Sequence, residues 1–458
     1  MQQTAALALG RLAHYSTELA TELVTTRVLQ ELVHSMRAEG ATVYHRRAGA
    51  YVARAVSRHT AELAQCCVDA GAAAVLVACL EDQDATVREA AAKSLGVIAG
   101  HSAELASAVV EAGAVPLLSA SLKEPEPSLK RTCIVTLCEV AKHAPELADA
   151  VCDAGVPLQL SALLAHDDAR VRRQVCACLA QVAKHNVDLA ELLVEAAVFP
   201  ALLGLLQDAD PGTQRNAAVA VREVVKHAES LAGLVSQAQG VGHLVDYLQS
   251  SHGAARLPGV MALGFMASFS ETLAMDVLAG SGAAAARDAL VNEPEDHVKA
   301  AAVWALGHMG RHGAEHARLL AEADCLRHML GALVHEEASP DLRDKARRAL
   351  LGTLPHCAHL PAMLPLLAPA PLAVRRAVLA QVARVVPSDA AQRRQLVSGG
   401  GLKSILALDA EGDPGVEELV DVICDAYPVE VVEFCSPGYS KTLADATFGE
   451  EGKVAATG

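Results

Sequence analysis

A block of 42 residues recurs along most of this 458-residue chain, and the recurrence restricts what the chain can fold into. Its anchor is a His followed by a short polar run and Leu-Ala. The series is His59, His101, His143, His185 and His227, with Phe269, His312 and His356 continuing it and Tyr15 standing upstream. The first five follow at intervals of 42, as in His101-Ser-Ala-Glu-Leu-Ala106 and His143-Ala-Pro-Glu-Leu-Ala148. A period of ~40–47 residues belongs to helical solenoids of the armadillo and HEAT kind.

Within one period, Ser102 to His143, apolar residues at 105, 106, 109 and 110 form a helical stripe. Gly113 ends that helix, and Gly71 and Gly155 stand in the same place, where a left-handed residue is favoured. A second helix is expected from about Val115 to Leu122. The acidic turn Glu124-Pro-Glu-Pro127 closes it, and a longer third helix runs from about Ser128 to Lys142. Three helices per period is the armadillo pattern, and two-helix HEAT units are the second choice. The expected fold is all-α, a right-handed armadillo-repeat superhelical solenoid. No alternating strand pattern competes.

Residues 1–15 read as the third helix of a repeat whose earlier helices are not present, so the chain is expected to begin inside a repeat. Residues 16–356 read as about eight repeats, and 357–435 as degenerate repeats broken by Pro355, Pro361, Pro365, Pro369 and Pro371. Residues 436–458 read as a tail, expected to be disordered from Ala444. Hydrophobic residues make up 52% but aromatics only 3%, so Ala, Leu and Val build the interior, which suits close stacking of helices. No apolar run reaches the ~18 residues of a membrane span, and no secretory signal opens the chain. The 12 Cys are scattered without a CxxC, which fits a reducing compartment.

No phosphate loop, dinucleotide fingerprint or HExxH is present, so no catalytic activity and no cofactor is expected. His45, Cys66 and Cys67 are near one another, but their spacing matches no zinc site. The anchors Tyr15, His59, His101, His143, His185, His227, Phe269 and His312 fall where a third helix hands over to the next repeat. There an imidazole can cap carbonyls and, when charged, favour the negative helix end, which is a structural role.

A basic ladder is the sharper feature. Arg46, Arg88, Lys130, Arg172, Arg256 and Lys299 occupy one register position at the start of the third helix; in the missing rung Gln214 stands in register with Arg215 beside it. A cation there opposes the helix dipole, so helix stability alone does not ask for it. One reading is a rail for an acidic partner, a tubulin tail or an acidic peptide. The other is local pairing with the acidic turn before each rung, the commoner situation for charges on solvated helices. The net charge of −16 argues against nucleic acid and against adhesion to anionic membranes. Peptide grips of the importin-α kind need Trp and Asn eight and four before the anchor. Those positions here hold Lys93/Val97, Val135/Glu139, Ala177/Gln181, Val219/Glu223, Met261/Phe265 and Trp304/His308.

Four segments carry a family resemblance: Gln2-Gln-Thr-Ala-Ala-Leu-Ala-Leu-Gly-Arg-Leu-Ala13; Arg256-Leu-Pro-Gly-Val-Met261, whose Pro258 is expected to interrupt a third helix; Glu293-Pro-Glu-Asp-His-Val-Lys-Ala-Ala-Ala302 with Trp304-Ala-Leu-Gly307 and Glu315-His-Ala-Arg318; and Tyr427-Pro followed by Ser436-Pro-Gly-Tyr-Ser440 and Thr442-Leu443. With these the chain resembles the sperm-associated antigen 6 family, armadillo proteins of the central apparatus of motile cilia and flagella. The resemblance implies a non-catalytic scaffold in the cytoskeleton of the axoneme. Its partners would be central-apparatus proteins, tubulin directly or through them, and other copies joined head to tail. It also implies that a further N-terminal repeat is normal in the family. The alternative is a cytosolic adaptor of the β-catenin type holding an extended acidic peptide in its groove. Ser436, Pro437, Gly438 and Tyr439 are either a docking segment with Tyr439 as its anchor or a turn that seals the last helices.

Overall fold

The computed structural model describes residues 2–38, 40–409 and 413–439. The tail segment expected to be disordered, with Ser440, Thr442 and Leu443 of the resemblance, lies outside the described residues. The chain divides into two compact units, Met1–Tyr247 and Leu248–Gly458.

In the first unit, α1 (Gln2–Tyr15) occupies the place of a third helix and packs on α4. Five triplets follow: α2 (Thr17–Thr25), α3 (Val28–Met36) and α4 (Val43–Ser57); α5 (Ala61–Asp69), α6 (Ala72–Cys79) and α7 (Ala85–Ala99); α8 (Ala103–Glu111), α9 (Ala114–Ser121) and α10 (Pro127–Ala141); α11 (Pro145–Asp153), α12 (Val156–Leu163) and α13 (Ala169–Ala183); α14 (Val187–Glu195), α15 (Phe199–Gly204) and α16 (Pro211–Val225). Next come α17 (Glu229–Gln237) and α18 (Gly240–Ser250). The third helices stack in sequence, α4 on α7, α7 on α10, α10 on α13 and α13 on α16. The second unit contains α19 (Leu257–Phe269), then α20 (Glu271–Ala279), α21 (Gly282–Asn292) and α22 (Asp296–Gly310), then α23 (Ala314–Glu322), α24 (Cys325–Val334) and α25 (Pro340–Thr353). Its last helices are α26 (Leu360–Met363), α27 (Leu372–Val385), α28 (Ala390–Ser398), α29 (Gly401–Leu406), α30 (Pro414–Cys424) and α31 (Val429–Cys435). No strand occurs among the described residues, and the fold is an armadillo-type helical solenoid.

Prolines account for two departures from expectation. Pro127 opens α10 instead of closing the turn before it, and Pro258 sits in the first turn of α19 instead of interrupting it. The first turn lacks intrahelical partners for its N–H groups, so a missing N–H costs nothing there.

The anchors work between repeats. His Nε2 meets a carbonyl in the last turn of the preceding repeat's third helix: His59 with Ala13 O at 2.6 Å, His101 with Ser57 O at 2.5 Å, His143 with Ala99 O at 2.8 Å, His185 with Ala141 O at 2.7 Å and His227 with Ala183 O at 2.7 Å. In the second unit His312 meets Ala267 O at 2.7 Å. Each contact satisfies a carbonyl that the helix end leaves open, a net gain of about 1 kcal/mol. Burial holds the His143 and His185 imidazoles below their usual range, which favours the neutral ring at both. Tyr15 is 86% exposed, and Phe269 has no N–H to offer. The residue after the anchor caps forward: Thr60, Ser102 and Asn186 accept from the backbone N–H three residues on.

The hinge between first and second helices is left-handed throughout. Gly71, Gly113 and Gly155 have φ of 78°, 85° and 72°. Arg27, Ala197, Gln239, Ser281 and Asp324 adopt the same region at φ of 60°, 54°, 61°, 68° and 57°. An L side chain costs ~1–2 kcal/mol there. Ala197→Gly is therefore expected to stabilise the chain by about 1 kcal/mol, less a small entropic loss, raising the urea midpoint with unchanged slope.

Candidate functional site

The ladder residues start from one register position but do not share one environment. Arg88 Nη1 donates to Asp82 O at 2.7 Å and Gln83 O at 2.9 Å, the open carbonyls of the turn before its own helix. Arg172 does the same with His166 O at 2.7 Å and Asp167 O at 3.0 Å. Their remaining nitrogens reach forward to a carboxylate of the next repeat. Arg46 Nε lies 2.7 Å from Asp82, Arg88 Nη2 lies 3.1 Å from Glu124, and Arg172 grips Asp208 with two bonds of 2.7 and 2.9 Å. Arg256 Nε donates to Ser251 O at 2.7 Å, and its Nη1 lies 3.2 Å from Glu293 Oε1.

The acidic turns do cap their own helices, as Asp84, Asp168 and Asp210 show. The ion pairs of Arg46, Arg88, Arg172 and Arg256, however, run to the following turn rather than the preceding one. A guanidinium can do both because it presents several donors in a fixed fork. In the missing rung Gln214 Nε2 donates to Asp208 O at 2.7 Å, while Arg215 is exposed. Among the described residues Lys130, Arg215 and Lys299 make no ion pair. A further rung, Arg343, bonds to His335 O at 3.0 Å and Glu336 O at 2.5 Å and was not read from the sequence.

A second cationic row stands at the opposite end of the same helices. Arg58, Lys142, Lys184 and Lys226 each directly precede an anchor. Lys142 pairs with Glu139, Lys226 pairs with Glu223, and Lys226 Nζ also donates to Lys184 O at 2.9 Å. Lys184 has only the amide of Gln181, at 2.7 Å. Burial first, then the nearby Lys142 and Lys226 charges, hold its amine below the usual range. The row was available in the sequence at steps of 84, 42 and 42, with Gly100 in the vacant place, but cations at helix C-termini are ordinary dipole partners and carry no functional signal by themselves.

Between α7 and α10 lies a groove of about 510 Å³. Gly96 and Gly100 belong to its α7 side, Val97 and Val135 line it, and Arg54, Lys93, Arg131 and Glu139 stand around it. Gly96 permits the close approach: a Cβ there would lie 2.7 Å from Thr136 Oγ1, which itself donates to Ala92 O at 2.8 Å. In the second unit the equivalent groove of about 490 Å³ lies between α22 and α25, with Trp304 and His308 at the Lys93 and Val97 positions. Trp304 packs edge-on to Phe265 at 5.1 Å and to His308 at 4.7 Å, and burial pushes His308 down to about 4.

At the other end of the described chain, Gly438 is left-handed at φ 94° and the Tyr439 N–H returns to Ser436 O at 3.3 Å. The turn sets the Tyr439 ring edge-on to Phe434 at 5.4 Å, and Ser436 Oγ donates to Val432 O at 2.8 Å. Pro437 is exposed.

No group of three or more His, Cys, Asp or Glu side chains among the described residues is arranged to hold a metal ion. Burial pushes the Cys133, Cys176 and Cys325 thiols up to about 12, which makes them small core hydrophobes and poor nucleophiles. No single described helix is long and apolar enough to cross a membrane.

The HEAT repeat family matches residues 74–102, which span most of α6 and all of α7. Sperm-associated antigen 6 of Mus musculus is 45% identical over 154 residues, a stretch that covers 34% of this chain and 30% of that protein. The Homo sapiens protein of the same name matches with the same figures. The chain thus matches under a third of the length of these relatives, and over that stretch it is similar to sperm-associated antigen 6. Among solved structures, an engineered protein aligns with a TM-score of 0.69 over 87% of this chain and 98% of its own, at 22% identity. A designed armadillo repeat protein aligns with a TM-score of 0.50 over 52% of this chain and 99% of its own, at 22% identity. Another, in complex with the peptide (KR)4, aligns with a TM-score of 0.50 over 52% of this chain and 98% of its own, at 21% identity. These likenesses establish the fold alone.

Proposed function

We propose that this chain is a non-catalytic protein-binding scaffold of the axonemal central apparatus in cilia and flagella. Its role in this reading is to support central-pair microtubules and motility. The observation that carries the reading is the 45% identity to sperm-associated antigen 6 over 154 residues. A helical-repeat fold is consistent with it, because stacked repeats build extended surfaces for partner chains. The proposed location is the axoneme, within the cytoplasmic cytoskeleton. The proposed partners are central-apparatus proteins, tubulin, and a second copy joined end to end.

The contact surface we favour is the row Arg58, Lys142, Lys184 and Lys226, in which Arg58 and Lys184 make no ion pair among the described residues and the ion pairs of Lys142 and Lys226 stay within their own repeats. Arg46, Arg88, Arg172 and Arg256 are occupied in holding repeats together, which leaves Lys130, Arg215 and Lys299 as the ladder members for an acidic partner. An acidic chain can meet acidic tubulin only through such a local strip, so binding should weaken steeply with salt. Wild type is expected to pellet with taxol-stabilised microtubules at low salt and to be released as salt rises. Lys142→Glu with Lys184→Glu and Lys226→Glu should cut pelleting at least tenfold while the melting temperature stays within a few degrees. Wild type that remains in solution at every salt concentration would exclude a direct tubulin contact. Tyr439 is proposed as part of a terminal cap, given its contact with Phe434.

A further inference from the structure

The groove between α7 and α10 differs in character from the cationic row. Val97 and Val135 are half-exposed apolar residues facing an opening of about 510 Å³. That volume falls within the range of pockets that receive ligand groups. Two glycines, Gly96 and Gly100, leave gaps beside Val97 on its α7 side. A side chain at Gly100 would meet Glu139 Oε2 at 2.9 Å, so the opening depends on glycine there.

The rim is positive. Arg131 makes no ion pair among the described residues, and Arg54 faces only the Tyr51 ring, at 5.4 Å. Lys93 is matched by Glu89, and Glu139 is matched by Lys142. The uncompensated charge at this place is therefore cationic, in a chain whose net charge is −16. An apolar slot rimmed by arginines selects for a segment that is apolar at one residue and anionic at its neighbours.

Resting on the scaffold reading above, we propose that the α7–α10 groove receives one large apolar side chain of an extended acidic partner segment. Val97 and Val135 contact that side chain, and Arg54 and Arg131 face the carboxylates on either side of it. The equivalent groove in the second unit has Trp304 and His308 in place of Lys93 and Val97, so this specificity belongs to the first unit.

The test uses the full chain and three labelled synthetic peptides followed by fluorescence polarisation: acetyl-Glu-Glu-Phe-Glu-Glu-amide, the same peptide with Ala for Phe, and acetyl-Lys-Lys-Phe-Lys-Lys-amide. The Phe peptide should bind at least tenfold more tightly than the Ala peptide, the fold-change that burial of one large apolar side chain supplies. It should also outbind the basic peptide. Val135→Asp should abolish the preference for Phe, and Arg131→Glu should weaken both acidic peptides about equally, with helical content and melting unchanged. Equal binding of Phe and Ala peptides, preference for the basic peptide, or no binding of any would overturn the proposal. Arg131→Glu retains the apolar slot, so a folding defect in Val135→Asp leaves the charge requirement tested. A chain that pellets with microtubules but shows no peptide preference loses the groove and keeps the scaffold reading. Selective peptide binding without pelleting keeps the groove and removes the direct tubulin contact.

Discussion

Glu293→Ala is expected to destabilise the second unit by about 3–5 kcal/mol, the usual consequence of removing one partner from a buried charge pair. Arg256 and Glu293 have side-chain exposures of 8% and 6%, so water cannot replace the lost partner. Glu293 has a second duty, because its Oε2 accepts the Gly253 N–H at 2.8 Å. Removing it strands a guanidinium nitrogen and a backbone donor together. The Arg256 Nη1 contact is off the hydrogen-bond line, so the pair is held by charge and enclosure rather than by ideal geometry. Urea unfolding followed by the fluorescence of Trp304, the chain's single Trp, reads this unit directly. The double change Arg256→Met and Glu293→Gln should lose much less than either loss alone, because it leaves no unpaired charge and keeps an acceptor for Gly253. A cost below ~1 kcal/mol for Glu293→Ala would mean that the rung is hydrated and free for a partner.

Gly264→Ala should unseat Trp304. A Cβ at Gly264 would lie 2.3 Å from Trp304 Cζ3 and 2.8 Å from Cε3, closer than packed atoms approach. Alanine gains up to ~1 kcal/mol of helix propensity over glycine, but forcing extra volume into a filled core costs ~1–3 kcal/mol, and here the obstacle is a rigid ring already wedged against Phe265. We expect a net loss of about 1–2 kcal/mol and a red shift of the emission as the indole meets water. An unchanged spectrum would show that α22 shifts as a whole and the ring keeps its seat.

The period, the helix triplet and the glycine hinges were legible because each rests on local chemistry repeated at a fixed interval. His anchors and the capping residues after them appear in the sequence as one motif. The partner of the anchor did not, since a carbonyl 44 residues earlier, such as Ser57 O for His101, carries no side-chain signature. The same holds for the rungs. Acidic residues stand both before and after Arg88, Lys130 and Arg172, and only the stacking of third helices shows that Arg172 pairs forward with Asp208 rather than back with Asp167. The hinge at Ala197 was hidden because its left-handed geometry is imposed by neighbouring repeats on a residue that would not choose it. The α7–α10 groove was hidden too, because it arises from what is absent at Gly96 and Gly100.

The backward reach of the anchors gives synthesis a clock. The last turn of α7 is completed by His143, which leaves the ribosome 44 residues after Ala99. At ~5–20 residues per second that interval is roughly 2–9 s. For that time a newest third helix whose carbonyl awaits a His anchor stands unfinished at its C-terminal end, and such a repeat is completed only when its successor arrives. A stall or a premature stop would therefore leave its mark one repeat upstream of the lesion.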